Sequence, residues 1–214
     1  MKTLIMKETM KTHINPTPKK VFACVLISGW TLCVSAPAQW VTWEVSAGGN
    51  GHMYQAVPGF AGLSWSMADQ LAHAAGGYLA TITSPEENAF VFSLVDAPQF
   101  WRSPGNGSGP ALGGFQQDGA PEPAGGWQWV TGEAWTYSNW YPGQPDNFPG
   151  GNPEDRLEFY SGIDSVRAAT WNDIGRDDQN LGGYVIEMVP EPSCIGLLGI
   201  AVPLLIARRL GRKQ

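Results

Sequence analysis

Apolar and polar positions in the first half of the central region predict a strand hairpin. Residues 40–45 alternate between apolar and polar side chains, as half-buried strands do, and residues 52–57 form a second extended segment. The Gly-Gly-Asn-Gly stretch at residues 48–51 lies between them and is typical of a turn. The pattern therefore predicts two paired strands before any helix begins.

The apolar spacing then changes to that of a helix. Ser64 is a suitable N-cap, and Gly76 and Gly77 are suited to end the helix, because glycine adopts the left-handed conformation at little cost. A short strand at residues 78–82 is expected to follow. The apolar stripe of this first helix comprises Trp65, Ala68, Leu71, Ala72 and Ala75.

A second helix is predicted directly afterwards. Ser84 supplies its N-cap, Pro85 its first helical position, and Glu87 the position that completes a capping box. The helix is expected to stop before Pro98. Its apolar residues are dense enough to pack on a sheet: Ala89, Phe90, Val91, Phe92, Leu94 and Val95.

The second half is rich in glycine, proline and tryptophan from Gly105 onward, and loops are expected to dominate it. Residues 136–155 are too long for an ordinary connection in a compact domain. Their acids, amides and aromatics favour a functional loop. The strands predicted in this half are residues 127–130, 156–160, 168–171 and 183–188.

The N-terminus has the pattern of an export signal. Lys19 and Lys20 precede an apolar run at residues 21–34, and Ala36-Pro37-Ala38 is typical of a signal-peptidase site. We expect residues 1–38 to be a signal peptide cleaved after Ala38. An uncleaved anchor is the alternative, although the run is short for a membrane span.

The C-terminus combines Pro190, Glu191 and Pro192 with an apolar stretch at residues 194–207 and a basic cluster at residues 208–213. This order resembles the PEP-CTERM sorting signal of Gram-negative bacteria, which an exosortase processes. The resemblance implies export to the cell surface or extracellular matrix, with transient membrane anchoring through the short helix of residues 190–214. A plain anchor is the alternative, but fourteen residues at about 1.5 Å each span only about 21 Å of a core about 30 Å thick.

The remaining domain, residues 39–189, is strongly acidic. The whole chain has 13 basic and 19 acidic residues. The first 38 residues contain five lysines and one glutamate, and the tail four basic residues and one glutamate, which leaves 4 basic and 17 acidic residues, a net charge of about −13. Such a surface repels nucleic acid and favours hard cations such as Ca²⁺. The three cysteines, Cys24, Cys33 and Cys194, lie in the end segments, so no disulfide is expected in the domain.

Several motifs in this domain resemble those of the C-type lectin-like family. The segments at residues 77–88 and 127–140 are similar to the family's helix junction and to the lead-in to its long loop. Gln144-Pro145-Asp146, Glu154-Asp155 and Trp171-Asn172-Asp173 follow in the family's order. The resemblance implies an α+β fold with two helices flanking antiparallel sheets and a long irregular ligand-binding loop. Arg156 and Ile186 stand where the family usually has cysteines.

The resemblance also implies a Ca²⁺ site. Carboxylate and amide oxygens are the ligands that Ca²⁺ takes in proteins, and in the family Pro145 is often preceded by a cis peptide. A sugar would place two vicinal hydroxyls on the ion. The ligands carried over by the resemblance are Gln144, Asp146, Glu154, Asn172 and Asp173.

A second ion is an additional hypothesis. Asn147 and Asp155 would hold it together with Glu154, helped by either Asp118 or Glu122.

The order amide, proline, acid resembles the galactose-type pattern, whereas mannose binders usually have acid, proline, amide. Phe148 fits that interpretation if it packs on the apolar face of the sugar, but it could equally fill the core. The residues expected to contact a sugar are Gln144, Asp146, Phe148, Glu154 and Asn172.

Other chemistry has less support. His52 and His73 have no partner at metal-ligand spacing, so packing is the expected role of both. Glu154 and Glu158 could form a glycosidase pair, but the neighbouring carboxylates suit a cation better, and we expect no enzyme activity. Two hypotheses remain: a Ca²⁺-dependent carbohydrate-binding protein, with galactose-type glycan or exopolysaccharide as partner, and a structural or protein-binding domain of the extracellular matrix.

Overall fold

The computed structural model describes residues 39–102, 107–149, 151–162 and 166–190, together with two short antiparallel strands, β1 (Val25–Ile27) and β2 (Trp30–Leu32). The chain divides into two units, Met1–Pro37 and Ala38–Gln214. The rest of the expected export signal and the expected sorting tail from residue 191 lie outside the described residues. Neither helix among the described residues is long and apolar enough to cross a membrane.

The second unit combines two helices with a sheet of eight strands. The helices are α1 (Trp65–Ala74) and α2 (Pro85–Val95), and single 3₁₀ turns occur at Val45–Ala47 and Pro98–Phe100. The strands are β3 (Val41–Thr42), β4 (Met53–Pro58), β5 (Tyr78–Leu79), β6 (Ser108–Gln116), β7 (Trp127–Trp129), β8 (Glu154–Tyr160), β9 (Thr170–Gly175) and β10 (Gly183–Met188).

The sheet has the order β3-β4-β10-β6-β8-β9, with β5 paired to β10 and β7 to β6. All of these pairs are antiparallel except β6 and β10, which run parallel where Gly183 and Tyr184 lie opposite Pro110 and Ala111. The fold is therefore α+β as expected, and its sheet is mixed. The long chain segment between β6 and β10 allows the parallel pairing, which a short turn could not provide.

The predicted caps explain where the helices begin. Ser64 accepts a hydrogen bond from Met67 N (3.3 Å), and Ser84 accepts one from Glu87 N (3.1 Å). Only half of the predicted capping box forms, because the Glu87 carboxylate accepts from Thr83 N (2.7 Å) one residue before the cap. Glu87 is buried and also accepts from a tyrosine, so tertiary contacts decide its orientation.

Tryptophan rings form the core beneath the long loop. Trp129 and Trp171 are buried completely or almost so, and Trp127 is 6% exposed. Trp135 packs on Trp129 with ring centroids 4.4 Å apart, and Trp140 meets Trp171 edge to face at 6.0 Å. The loop therefore rests on a continuous aromatic layer.

Two strand predictions need correction. Residues 40–45 form only the two-residue strand β3 and a 3₁₀ turn, because the backbone turns back at Gly48, whose φ is 85°. The nine-residue strand β6 lies in the middle of the sheet, in a region where the sequence predicts loops. Its glycines conceal it, since glycine is depleted in strands and signals turns.

A buried polar network joins β10, β4 and α2. Glu187, 1% exposed, accepts hydrogen bonds from His52 Nδ1 (2.6 Å), Tyr54 OH (3.1 Å) and Thr81 N (2.8 Å). The same Tyr54 hydroxyl lies closer to Glu87 (2.6 Å), so the two carboxyl groups share its one hydrogen. His52 is thus a structural partner of a carboxylate, consistent with the packing role expected for it.

This network predicts a pH dependence of stability. Burial raises the pKa of Glu187 from 4.5 to about 7, against the opposing effect of the bonds from His52 and Thr81. Because the folded pKa is the higher one, the contribution of Glu187 to stability is fully present below pH 4.5 and is lost as the pH rises through 7. Glu187 should therefore lower the free energy of unfolding of wild type by an amount on the order of 2–3 kcal/mol between pH 4 and pH 8. We expect Glu187→Gln to lack this loss, as measured by urea unfolding at the two pH values.

Glu187→Gln is expected to be less stable than wild type at pH 4, because an amide has only one oxygen and cannot accept hydrogen bonds at both positions, from His52 and from Thr81. The informative quantity is therefore the change in the free energy of unfolding with pH. Glu86→Gln, at an exposed position of α2, is the matched control and should keep the wild-type slope. Equal slopes in wild type and Glu187→Gln would contradict the assignment.

Candidate functional site

The site forms where two antiparallel strands meet the long loop. Glu154 begins β8, and in β9 Asn172 lies opposite Glu158. The loop is fastened to β9 by two backbone bonds, from Trp171 N to Asn139 O (2.9 Å) and from Tyr141 N to Trp171 O (2.8 Å). Ligand candidates far apart in sequence are thereby brought to one end of the sheet.

Three carboxylates converge there. Asp146, Glu154 and Asp173 each offer an oxygen within 4.8 Å of the other two. The loop wraps Asp173, whose carboxylate accepts from Asp146 N (3.1 Å) and from Asn147 N (2.8 Å). Phe148 N donates to Glu154 Oε2 (2.7 Å), and the Gln144–Pro145 peptide is cis, as the resemblance implies.

Amide groups complete the set of oxygen donors. The buried Oε1 of Gln144 has no hydrogen-bond partner among the described residues. Asn172 Nδ2 donates to Glu158 Oε1 (3.2 Å), which orients the Asn172 amide beside the cluster. An orphaned amide oxygen next to three carboxylates is a donor set that fits Ca²⁺, which takes oxygen ligands only.

The electrostatics of the cluster favour a bound cation. Burial raises the pKa of Glu154 to about 7, and repulsion from Asp173 and Asp146 adds to the rise. Burial likewise raises the pKa of Asp173, although its two backbone hydrogen bonds oppose the effect. A divalent ion would compensate this concentration of negative charge.

All five residues expected to contact a sugar line one open pocket of about 200 Å³. Phe148 is 64% exposed at its edge, so the alternative that it fills the core is wrong. Further lining residues include Ser108, Tyr160, Asp178 and Asn180.

The residues proposed for a second ion are not brought together in this way. Asp155 Oδ2 is paired with Arg176 Nη2 (2.7 Å) and Arg156 Nη1 (3.1 Å), and Arg176 also reaches Asp118 Oδ1 (3.4 Å). The side chain of Asn147 accepts from Glu154 N (3.1 Å). Arginine side chains thus neutralise Asp155 and Asp118, two of the acids that the second ion would need.

Similarity to known proteins identifies the family of the chain. No model of a known protein family matches the chain. A perlucin-like protein of Mytilus galloprovincialis is 32% identical over 164 residues, covering 76% of this chain and 90% of that protein. Human C-type lectin domain family 10 member A is 29% identical over 117 residues, 52% of this chain and 30% of that protein. The chain belongs to the C-type lectin-like domain family.

A solved structure shows the same fold for this C-type lectin-like domain. The cow C-type carbohydrate-recognition domain of CD23, crystallised in the presence of a GlcNAc2Man3 oligosaccharide, matches with a TM-score of 0.53 at 23% identity. The match covers 75% of this chain and all of that domain.

Sequence reasoning misses Arg176 of this C-type lectin-like domain and considers Glu158 only as a possible glycosidase partner of Glu154. Glu158 is 1% exposed, lines the pocket and accepts from Asn172 and Ser108, and burial raises its pKa to about 8. The four-residue spacing from Glu154 along β8, an even number, could have indicated that both carboxylates share one face. For Arg176 no sequence signal exists, because its partner Asp155 meets it only through the fold.

Proposed function

We propose that this domain binds carbohydrate through a Ca²⁺ ion. The observation that carries the proposal is the convergence of three carboxylates beside an amide oxygen of Gln144 that has no partner in the described part of the chain. The residues that would hold the ion are Gln144, Asp146, Glu154, Asn172 and Asp173.

A bound Ca²⁺ would supply open coordination positions for two vicinal hydroxyls of a sugar. Around that ion, carboxylate oxygens of Asp146 and Glu154 would accept hydrogen bonds from the hydroxyls. The amide nitrogens of Gln144 and Asn172 would donate to them. Phe148, exposed at the rim, offers a ring on which the apolar face of a sugar can pack.

The proposed ligand class is galactose-type glycan. The order of Gln144, Pro145 and Asp146 supports this choice, because the galactose-type pattern places the amide before the acid. An exchange variant, Gln144→Glu with Asp146→Asn, keeps both the oxygen ligands and the net charge. It therefore tests the order of the two groups alone.

We expect the full chain to bind galactosides in Ca²⁺ and to release them in EDTA, as measured by calorimetry. The exchange variant should still bind Ca²⁺ but prefer mannosides. Phe148→Ala should weaken galactoside binding about tenfold, roughly the contribution of one aromatic contact, with Ca²⁺ affinity unchanged. Galactoside binding that persists in EDTA would contradict the proposal.

The second candidate is a structural or protein-binding domain without a sugar ligand. It is favoured by the hydrogen bonds from Asp146 N, Asn147 N and Phe148 N to the site carboxylates, which already close the loop on the sheet. Ca²⁺ binding without affinity for any sugar would support this candidate.

The proposal includes delivery to the cell surface or extracellular matrix of a Gram-negative bacterium. Its support is the signal pattern in residues 1–38 and the Pro190-Glu191-Pro192 motif, with exosortase processing following a transient membrane stage.

A further inference from the structure

Two arginines meet on one carboxylate at the edge of the long loop. Asp155 Oδ2 lies 2.7 Å from Arg176 Nη2 and 3.1 Å from Arg156 Nη1. The Asp155–Arg156 pair is largely shielded from water, with side chains 14% and 11% exposed, whereas the Arg176 side chain is 43% exposed. Shielded pairs are screened by salt less than surface pairs.

This use of arginine stands out against the charge of the domain. Between residues 39 and 189 the chain has four arginines, no lysine and seventeen acidic residues. Two of the four arginines are committed to Asp155, and Arg176 also contacts Asp118 at 3.4 Å. Scarce positive charge is thus concentrated at one place.

The place overlaps the hypothesised site of a second ion, although Glu154 and Asn147 of that site do not line it. A groove of about 440 Å³ is lined by Asp118, Glu122 and Asp155, three of the four acids named for such an ion, and by Arg176. The guanidinium bridges two of these acids, as a divalent cation would. The residues therefore do not fit a second ion while Arg176 is in position.

Arg156 holds the neighbouring position. Its guanidinium carbon lies 4.9 Å from the Trp65 ring centroid and 5.7 Å from that of Phe115, and Nη1 also donates to Asp155 O (2.7 Å). It thereby links β8 to α1 and β6 at a point where the family usually has a cysteine. A planar guanidinium that stacks and bridges in this way is poorly replaced by lysine.

We propose that Arg176 is a built-in cation that replaces a second Ca²⁺ ion. The chain accordingly takes up one Ca²⁺, at the cluster of Asp146, Glu154 and Asp173, and keeps the acids around Asp155 neutralised without metal. The prediction that wild type binds one Ca²⁺ rests on the proposed function, whereas the role of Arg176 does not.

The test measures Ca²⁺ stoichiometry by calorimetry on the full chain. Wild type should bind one ion and Arg176→Gln two, because the substitution releases Asp118, removes one of the two cationic partners of Asp155 and adds an amide oxygen. Arg176→Lys, which keeps the charge, should still bind one. The matched control Arg167→Gln removes the same charge from the pair with Asp96, far along the sequence from the groove residues, and should also bind one.

The same comparison in an Asp146→Asn background separates this proposal from the first site. There the parent should bind no ion and the double variant with Arg176→Gln should bind one. If wild type binds none but Arg176→Gln binds one, the role of Arg176 stands and the proposed function fails.

Two results would overturn the proposal. One is an Arg176→Gln variant, folded by circular dichroism, that gains no ion in either background. The other is a wild-type chain that binds two ions and loses one on Asp155→Asn, a measurement that does not depend on the folding of any Arg176 variant.

Discussion

Replacing Asp146 by asparagine is expected to weaken Ca²⁺ binding by about a hundredfold or more and to leave the fold intact. Asp146 supplies one of three converging carboxylates, and the charge of the ligand set is a main determinant of Ca²⁺ affinity. Its side chain is exposed, and the bond from its backbone N–H to Asp173 survives the substitution. Titration calorimetry gives the affinity, and unfolding in Ca²⁺ and in EDTA gives the stabilisation that the ion contributes.

Glu133→Gln is the matched control for this prediction. It removes the same charge at an exposed position outside the carboxylate cluster and should leave Ca²⁺ affinity within about threefold of wild type, since distant surface charges are screened. An Asp146→Asn chain that binds Ca²⁺ as tightly as wild type would show that the cluster does not hold the ion.

The site could be anticipated because its residues occur as compact motifs. Gln144-Pro145-Asp146 and Asn172-Asp173 are recognisable without coordinates, and the fold brings both to Glu154. The pairing of Asp155 with Arg176 could not be anticipated, because twenty-one residues separate them and salt bridges leave no periodic trace. The hypothesis of a second ion therefore relies on Asp118 and Asp155, whose arginine partner is visible only in the structure.

The fold shows the same division between local and non-local information. Helices α1 and α2 follow from caps and apolar spacing, which are local signals. Strand β6 carries the opposite signals, Gly109, Gly113 and Gly114, although it pairs with three other strands. Its glycines are required by neighbours that approach closely from other parts of the chain, and propensity cannot register such contacts.

Gly113→Ala is therefore expected to destabilise the domain by about 3 kcal/mol, a large effect for one methyl group. A Cβ at this position would lie 2.3 Å from Leu79 O, a backbone atom that cannot rotate away. The local backbone is also held on both sides, because Gly113 N donates to Ala80 O (2.8 Å) and Gly113 O accepts from Val130 N (2.9 Å). The clash with Leu79 O can be relieved only by separating β5 from β6.

Gly151→Ala provides the control, since a Cβ there meets nothing closer than 3.9 Å and its φ needs no glycine. Its stability should stay within about 0.5 kcal/mol of wild type in urea unfolding, as is usual for surface substitutions. If Gly113→Ala were equally mild, β6 could not lie against β5 as closely as described. Because β6 also pairs with β8, which carries Glu154, a loosened β6 should weaken Ca²⁺ binding together with stability.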